Sequence, residues 1–230
     1  MRTRPIMLIA ATATAIATAA GVASAATGTP QHTATAHGKP SGNRVTATPA
    51  GFTVTSTRTS PIGAGAVAKI LASCLGPDAS NYHAVIAVRA PVATQDTDGV
   101  VIAVNSARQY VQCETKGHKG TSMSVPPTFI NDRLWGTGHL IEFFDSFSEP
   151  ANGEQTLSLG AGHYTPDVAR ITISYGDNPT QYPALMADGA FVYTAALSGP
   201  ERNSPSPYVH AYNAAGQEIY NQQTEPTTKQ

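Results

Sequence analysis

The densest group of residues that could do chemistry lies between residues 131 and 145. It holds the chain's single tryptophan, Trp135, then a Gly-Thr-Gly step, His139 and the carboxylates Glu142 and Asp145. An aromatic ring beside imidazole and carboxyl groups can bind a sugar or act in acid and base catalysis. We therefore take Trp135, His139 and Glu142 as candidate ligand-binding residues, and a hydrolase centred on 131–145 as one functional hypothesis.

Strand geometry argues against a direct pairing of His139 with Glu142. If residues 139–145 form a strand, side chains alternate between its two faces, so these two residues point in opposite directions. The structural alternative is a tryptophan packed in the core beside a loop and a strand with polar ends. Both interpretations of the segment stay open.

Other motifs select no catalytic residue and no metal. A serine nucleophile of the G-x-S-x-G type is exposed on a tight turn, and that pattern is absent from the sequence. Serine, histidine and aspartate are frequent enough that a triad stays open, but no spacing selects one. The run Asp96-Thr97-Asp98-Gly99 begins like a calcium loop and lacks the later ligands, so it predicts a hairpin turn. We predict no catalytic residues, no metal and no cofactor.

The segment 198–207 suits a different function. It is rich in proline and serine, joins two predicted strands and carries Arg202, which we expect to be exposed. Protease inhibitors present a scissile bond on a rigid loop, because preorganisation lowers the entropic cost of binding. A protease inhibitor acting through this loop is therefore the alternative function, and a plain connection between strands is the structural alternative.

The two cysteines, Cys74 and Cys113, predict one disulfide. An even pair in a protein of an oxidising compartment is most simply bonded. The rival interpretation is a reactive thiol or a metal site, but the pair lacks C-x-x-C spacing and one nearby histidine does not complete a zinc site.

The first 25 residues predict secretion. Arg2 and Arg4 precede an uncharged apolar stretch, Ile6 to Ala20, and small residues lead to a cleavage site before Ala26. The stretch is shorter than a typical membrane helix of about 20 residues, and we expect no membrane span. The formal net charge of −1 is too near neutral to favour nucleic acid as a partner, so we expect an extracellular ligand or protein.

Composition divides the chain into four parts. After a signal peptide at 1–25, residues 26–60 are dominated by small and polar residues, so a disordered leader is expected. A single β-rich domain should cover 61–222, and a flexible tail 223–230. Alternation around 53–59 could add a strand at the end of the leader.

One short helix should open the domain. Ser60 is the expected cap, Pro61 suits the first helical position, and apolar residues recur at helical spacing as far as Leu75. The other elements are strands, which the period-two alternation predicts at 82–88, 100–105, 108–113, 140–144, 170–175, 182–187, 190–195, 208–212 and 217–220. Those from 170 onwards are expected to form a β meander with a tight hairpin at Asp188-Gly189.

Three segments of the last third, 166–177, 187–191 and 210–219, resemble a pattern in uncharacterised secreted and extracytoplasmic proteins of actinobacteria. The resemblance implies an immunoglobulin-like β-sandwich in this part of the chain and brings no catalytic residues with it. With the strand pattern, it predicts a mainly β fold: an immunoglobulin-like sandwich or small barrel of antiparallel strands with one short N-terminal helix. The favoured function is a secreted, non-catalytic extracellular module of unknown ligand.

Overall fold

Short antiparallel strands make up most of the chain that the structure describes. The structure is a computed structural model, and it describes residues 51–122, 140–152 and 154–224. The helix α1 spans Ala64–Leu75, and 3-10 helices cover Gly76–Asn81 and Glu201–Asn203. The strands are β1 (Val54–Ser56), β2 (Ser60–Pro61), β3 (Tyr82–Arg89), β4 (Gly99–Asn105), β5 (Tyr110–Lys116), β6 (Lys119–Thr121), β7 (Ile141–Pro150), β8 (Gln155–Tyr164), β9 (Arg170–Tyr175), β10 (Asn178–Pro183), β11 (Leu185–Ala187), β12 (Ala190–Ser198), β13 (Pro207–Tyr212) and β14 (Glu218–Asn221).

The strands form three antiparallel sheets. The helix-side sheet has the order β2-β3-β4-β5-β6, the central sheet β1-β12-β8-β7 with β11 also on β12, and the outer sheet β10-β9-β13-β14. A mainly β fold of antiparallel strands, with one short α-helix among the described residues, is thus confirmed, and its layers are consistent with a β-sandwich.

The central sheet is covered on both faces. Successive side chains of a strand point to opposite faces. On β12, Phe191, Tyr193 and Leu197 pack into a core shared with the outer sheet, whereas Ala190 and Val192 pack toward the helix-side sheet. The central sheet therefore lies between the other two, which explains why almost every residue of β8 and β12 is buried.

The helix α1 covers the remaining face of the helix-side sheet. Ile70, Leu71 and Leu75 are its buried residues, and they belong to the apolar cluster that contains Cys113 of β5. The predicted disulfide between Cys74 and Cys113 is confirmed, with Cα atoms 6.1 Å apart, and it ties α1 to β5. Across the described ranges, no helix is both long and apolar enough to cross a membrane.

The start of the helix differs from the sequence prediction. Its N-cap is Gly63, without a side-chain hydrogen bond, and not Ser60. Ser60 and Pro61 instead pair with Arg89 and Val88 as the edge strand β2. Proline is tolerated at a sheet edge because no neighbouring strand needs its missing backbone N–H.

The folded chain begins before residue 61. Within the predicted leader, 26–60, strand β1 pairs with Leu197 and Ala196 of β12, so the strand suggested by the alternation around 53–59 is present. The predicted signal peptide, 1–25, and the predicted leader up to residue 50 lie outside the described residues. Of the predicted tail, 223–230, only residues 223 and 224 are described, and both donate backbone hydrogen bonds to Asn221.

The sequence pattern missed β8, which lies in the middle of the central sheet. Gly160 and Gly162 interrupt the apolar pattern of this strand, and each is opposite an aromatic residue of β12: Tyr193 and Phe191. A Cβ at either glycine would collide with that ring. The glycines thus leave room for two aromatic rings to lie across the strand. In this segment glycine marks close packing and does not mark a turn.

The predicted meander after residue 170 is confirmed in three of its pairings, β9 with β10, β11 with β12 and β13 with β14, but it is not continuous. A register shift in β10 and the break at Ala184 carry the chain from the outer sheet to β11 and β12 of the central sheet, and β13 then returns to pair with β9 and not with β12. The hairpin at Asp188 and Gly189 is confirmed. Both residues have positive φ, 46° and 79°, as the tightest two-residue hairpins require.

Candidate functional site

Of the three candidate ligand-binding residues, only Glu142 is placed by the structure. Trp135 and His139 lie outside the described residues. Glu142 is on β7, directly opposite His163 of β8, and its Oε2 is 3.0 Å from His163 Nε2. Both side chains are almost fully buried, so Glu142 is paired with a histidine that the sequence pattern did not single out.

Two aromatic rings enclose His163. Phe144 stacks on the imidazole with centroids 5.4 Å apart and planes at 19°, and Tyr110 of β5 lies 5.5 Å away. The Tyr110 hydroxyl donates to the backbone oxygen of Asp188 at 2.7 Å, and burial raises the pKa of this phenol. We call Tyr110, Glu142, Phe144 and His163 the His163 cluster.

A second polar group continues along β5 on the same face. Tyr110, Gln112 and Glu114 are alternate residues of the strand, opposite Val104, Ile102 and Val100 of β4, which face the central sheet. Val111 and Cys113 face the helix instead. Gln112 and Glu114 are therefore directed into the same layer as the His163 cluster.

Glu114 is a carboxyl group in an unfavourable position for charge. Burial raises its pKa from the ordinary value to about 7, and the negative charges of Asp145 and Glu149 on β7 act in the same direction. Glu149 is itself fixed, because the Thr94 hydroxyl donates to its Oε2 at 2.7 Å. At neutral pH, Glu114 can thus be present both as the acid and as the carboxylate.

The Gln112 side chain is buried with neither of its polar atoms in a hydrogen bond. The amide lies close enough to Glu114 to favour the carboxylate form, against the effect of burial, but it does not reach hydrogen-bond geometry. We call the region that holds the His163 cluster together with Gln112, Glu114, Asp145 and Glu149 the β5–β7 seam. Nothing in the sequence marked it, because the two strands come together only through the packing of two sheets.

The described residues contain no group of three or more His, Cys, Asp or Glu side chains that could hold a metal ion. Asp98, from the run that begins like a calcium loop, is occupied by the protein. Its carboxylate is paired with Arg89 and accepts from the Thr115 hydroxyl at 2.7 Å and the Gly117 backbone N–H at 2.6 Å. These contacts join the residue before β4 to β3 and to the end of β5, and they give Asp98 a structural role.

Another polar arrangement lies on the outer sheet, away from the seam. Ser174 Oγ of β9 is 2.8 Å from His210 Nε2 of β13, and His210 Nδ1 is 2.7 Å from Glu218 Oε1 of β14. Ser174 and His210 are buried, whereas the Glu218 side chain is 37% exposed. The sequence predicted the outward positions of β9 but not the strands that would lie beside them, so this set could not be chosen from the sequence.

Neighbouring side chains extend this polar surface. The Gln181 oxygen accepts from the hydroxyls of Thr172 and Tyr212, each at 2.6 Å, and the Tyr212 hydroxyl is also 3.4 Å from Glu218 Oε1. The Arg170 guanidinium lies over the Tyr212 ring, 3.9 Å from its centroid. The side chains around His210 are therefore held by several contacts.

The loop that carries Arg202 is not extended at its tip. Arg202 is exposed, as expected, and it lies within the 3-10 helix Glu201–Asn203. A surface groove lined by Pro150, Gln155 and Arg202 lies on one side of this turn. The tip is thus a helical turn beside the ends of β7 and β8.

Comparisons with models of protein families, with curated proteins and with solved structures find no match for this chain.

Proposed function

We propose that the chain is a secreted binding module that holds a small polar ligand, such as a sugar, at the β5–β7 seam. The observation that carries this proposal is the buried Gln112 amide without a hydrogen-bond partner. Leaving such a group unsatisfied costs about 1–3 kcal/mol. A ligand that supplies the missing hydrogen bonds explains why a polar side chain occupies this position.

The chemistry of the seam suits hydroxyl groups. A primary amide both donates and accepts, and a carboxyl with a pKa of about 7 can do either, depending on its proton. The rings of Tyr110 and Phe144, 5.7 Å apart, offer apolar faces beside these polar groups. Trp135 and His139 lie outside the described residues and stay predictions from the sequence.

The edge of the central sheet is the side from which a ligand would enter. Strand β7 is an edge strand, and its ladder with β8 shifts register between Phe143 and Ser146. Bulges of this kind are common at sheet edges and beside binding sites, where they redirect side chains. Asp145 lies within this bulge and acts electrostatically on Glu114.

Secretion is part of the proposal. The N-terminal pattern of a signal peptide supports it, as does the disulfide between Cys74 and Cys113, because disulfides persist in oxidising compartments. The resemblance to secreted actinobacterial proteins, with an immunoglobulin-like sandwich, points to the same location.

Ligand-observed NMR with a panel of neutral and acidic mono- and disaccharides tests the binding function. The informative variant is Gln112→Leu, which removes the amide and keeps the size of the side chain. Thr194→Val is the matched control, since Thr194 is also buried with an unpartnered hydroxyl but lies on β12. We expect at least one saccharide to bind the wild-type protein and the Thr194→Val variant equally, and binding to Gln112→Leu to weaken at least about tenfold.

Two results would contradict this proposal. Binding that is unchanged in Gln112→Leu would place the ligand elsewhere on the protein. A panel in which no saccharide binds would remove the sugar as the ligand class. Thermal unfolding separates these results from a folding defect, because Gln112→Leu should be at least as stable as the wild-type protein.

The protease-inhibitor function through the 198–207 loop is less well supported. Exposure of Arg202 favours it, but peptides bound by adding a strand to a partner are extended, and the backbone at Arg202 is helical. Incubation with a trypsin-like protease decides the matter: stoichiometric loss of protease activity would support inhibition, and simple cleavage after Arg202 would exclude it.

A further inference from the structure

The protonation pattern of the outer-sheet histidine follows from its partners. An ionised carboxylate only accepts hydrogen bonds, so the 2.7 Å contact with Glu218 requires the hydrogen on His210 Nδ1. In the neutral imidazole, Nε2 is then an acceptor, and its partner at 2.8 Å is the Ser174 hydroxyl. The serine proton therefore points at a base that a carboxylate orients from behind.

This order of groups is the one that activates a serine nucleophile. A serine within hydrogen-bond reach of an imidazole, which a carboxylate in turn orients, is the general signature of nucleophilic catalysis and recurs on unrelated folds. Here the three groups come from neighbouring strands, whose register places Thr172 opposite His210 and Tyr212 opposite Glu218. The sheet itself thus fixes the distances.

The arrangement faces away from the apolar cores. Ile171, Ile173 and Val209 point inward into the cluster shared with the central sheet, so Ser174 and His210 lie on the opposite face. None of the three apolar clusters of the described residues includes that face. Ser174 is only 3% exposed. A substrate with a small acyl group is therefore expected to reach its hydroxyl more easily than a folded polypeptide.

We propose that Ser174, His210 and Glu218 form a catalytic triad that transfers the acyl group of small activated esters to water. Ser174 Oγ would bond to the carbonyl carbon while its proton passes to His210 Nε2. The ester C–O bond then breaks, and the leaving oxygen takes that proton. Water attacks the acyl-serine, gives a proton to Nε2, and the carboxylic acid leaves as the serine regains its hydrogen. Glu218 is a positioning residue that orients the imidazole.

The position of Ser174 sets the expected rate. Strand β9 lies between β10 and β13, so its backbone N–H groups are engaged in sheet ladders and not available to stabilise an oxyanion. We therefore expect slow turnover, with formation of the covalent serine adduct as the clearest signal. This activity is independent of ligand binding at the β5–β7 seam, and failure of either leaves the other standing.

A fluorophosphonate probe, read by intact mass and peptide mapping, tests the triad on the full mature chain. The informative variants are Ser174→Ala, which removes the nucleophile, and Glu218→Gln, which keeps the side-chain shape and removes its charge. The matched controls are Ser206→Ala and Glu201→Gln, an exposed serine and an exposed carboxylate outside the triad. Thermal unfolding of every variant checks the fold.

We expect a single adduct on Ser174, no adduct in Ser174→Ala, and labelling that is at least about tenfold slower in Glu218→Gln with an unchanged unfolding temperature. Both controls should label like the wild-type protein, and p-nitrophenyl acetate should give a burst that only Ser174→Ala abolishes entirely. Absence of an adduct on folded wild-type protein, or equal labelling of Ser174 in Glu218→Gln, would falsify the triad and leave a structural hydrogen-bond network.

Discussion

Glu114 is a carboxyl group that folding moves into a poorly solvated position beside two other acids. Its pKa rises to about 7, first because of burial and then because of Asp145 and Glu149. Between its ordinary pKa and pH 7, the folded state binds this proton more tightly than the unfolded state does. The protonated Glu114 therefore contributes stability at acidic pH that is lost as the pH rises through about 7.

This linkage predicts the pH dependence of a single variant. Glu114→Gln does not titrate, so the difference in unfolding free energy, wild type minus variant, should fall by about 2 kcal/mol between pH 5 and pH 8. Residual solvent screening keeps the effect below the full value of the pKa shift. Chemical denaturation at several pH values measures it.

A difference that stays constant with pH would contradict the raised pKa of Glu114. Glu201→Gln serves as the control because Glu201 is exposed and outside the seam. Its pH profile should follow that of the wild-type protein.

At the scale of one element, β8 illustrates how packing overrides local sequence preference. A strand interior with two glycines is weak on propensity alone. In this strand the glycines face the rings of Phe191 and Tyr193, so a side chain at either position would displace a ring from the core. Strand β8 is therefore stabilised by the packing of these two rings over its glycines, in spite of its low β propensity.

Two glycine variants separate packing from propensity. Gly162→Ala should destabilise the protein by about 3 kcal/mol, because the added Cβ meets the Phe191 ring and the backbone oxygen of Glu142. Gly65→Ala, in the first turn of α1 with nothing near the added atom, should stabilise it by up to about 1 kcal/mol. Urea denaturation of both variants measures the two effects. Equal effects of the two changes would contradict the close packing of β8.

For the whole molecule, the disulfide joins the helix to a sheet that is held together by other contacts. It closes a loop with a sequence separation of 39 residues, for which the chain-entropy model gives about 4 kcal/mol. The helix α1 also has apolar contacts with the helix-side sheet, and we expect these to persist without the bond. Loss of the bond should therefore have two effects. It should lower the free energy of unfolding of the whole domain, and within the folded state it should increase local opening most in α1.

The double variant Cys74→Ala, Cys113→Ala tests this. We expect a loss of about 4 kcal/mol in unfolding free energy and faster amide hydrogen exchange in α1 than in the outer sheet under native conditions. Hydrogen exchange with mass spectrometry resolves the two regions. An unfolding midpoint equal to that of the wild-type protein would contradict a stabilising role of the bond.

Much of the fold follows from local patterns in the sequence. Strands such as β4, β9 and β13 show period-two alternation or β-branched runs, the Asp188-Gly189 pair specifies its hairpin, and two cysteines leave one intramolecular pairing. The helical spacing of apolar residues also predicts α1, but not the residue at which it starts, because Ser60 pairs with β3 and does not cap the helix. Strand alternation, the hairpin turn and the helical spacing all depend on residues that are close together along the chain, so the sequence alone is enough to predict them.

The tertiary structure alone decided which strands lie side by side and what their polar residues meet. The sequence pointed to Glu142 but not to His163, and the outward alternation of β9 did not reveal that His210 and Glu218 would align with Ser174. Sheet order and register depend on contacts between distant segments, here the crossing from the outer sheet to the central sheet between β10 and β11. By itself, the sequence predicted a mainly β chain with one disulfide, both of which the structure confirms, and a secretion signal, which stays a prediction. The packing of three sheets determined its candidate chemistry, because only packing brings those side chains within hydrogen-bond distance.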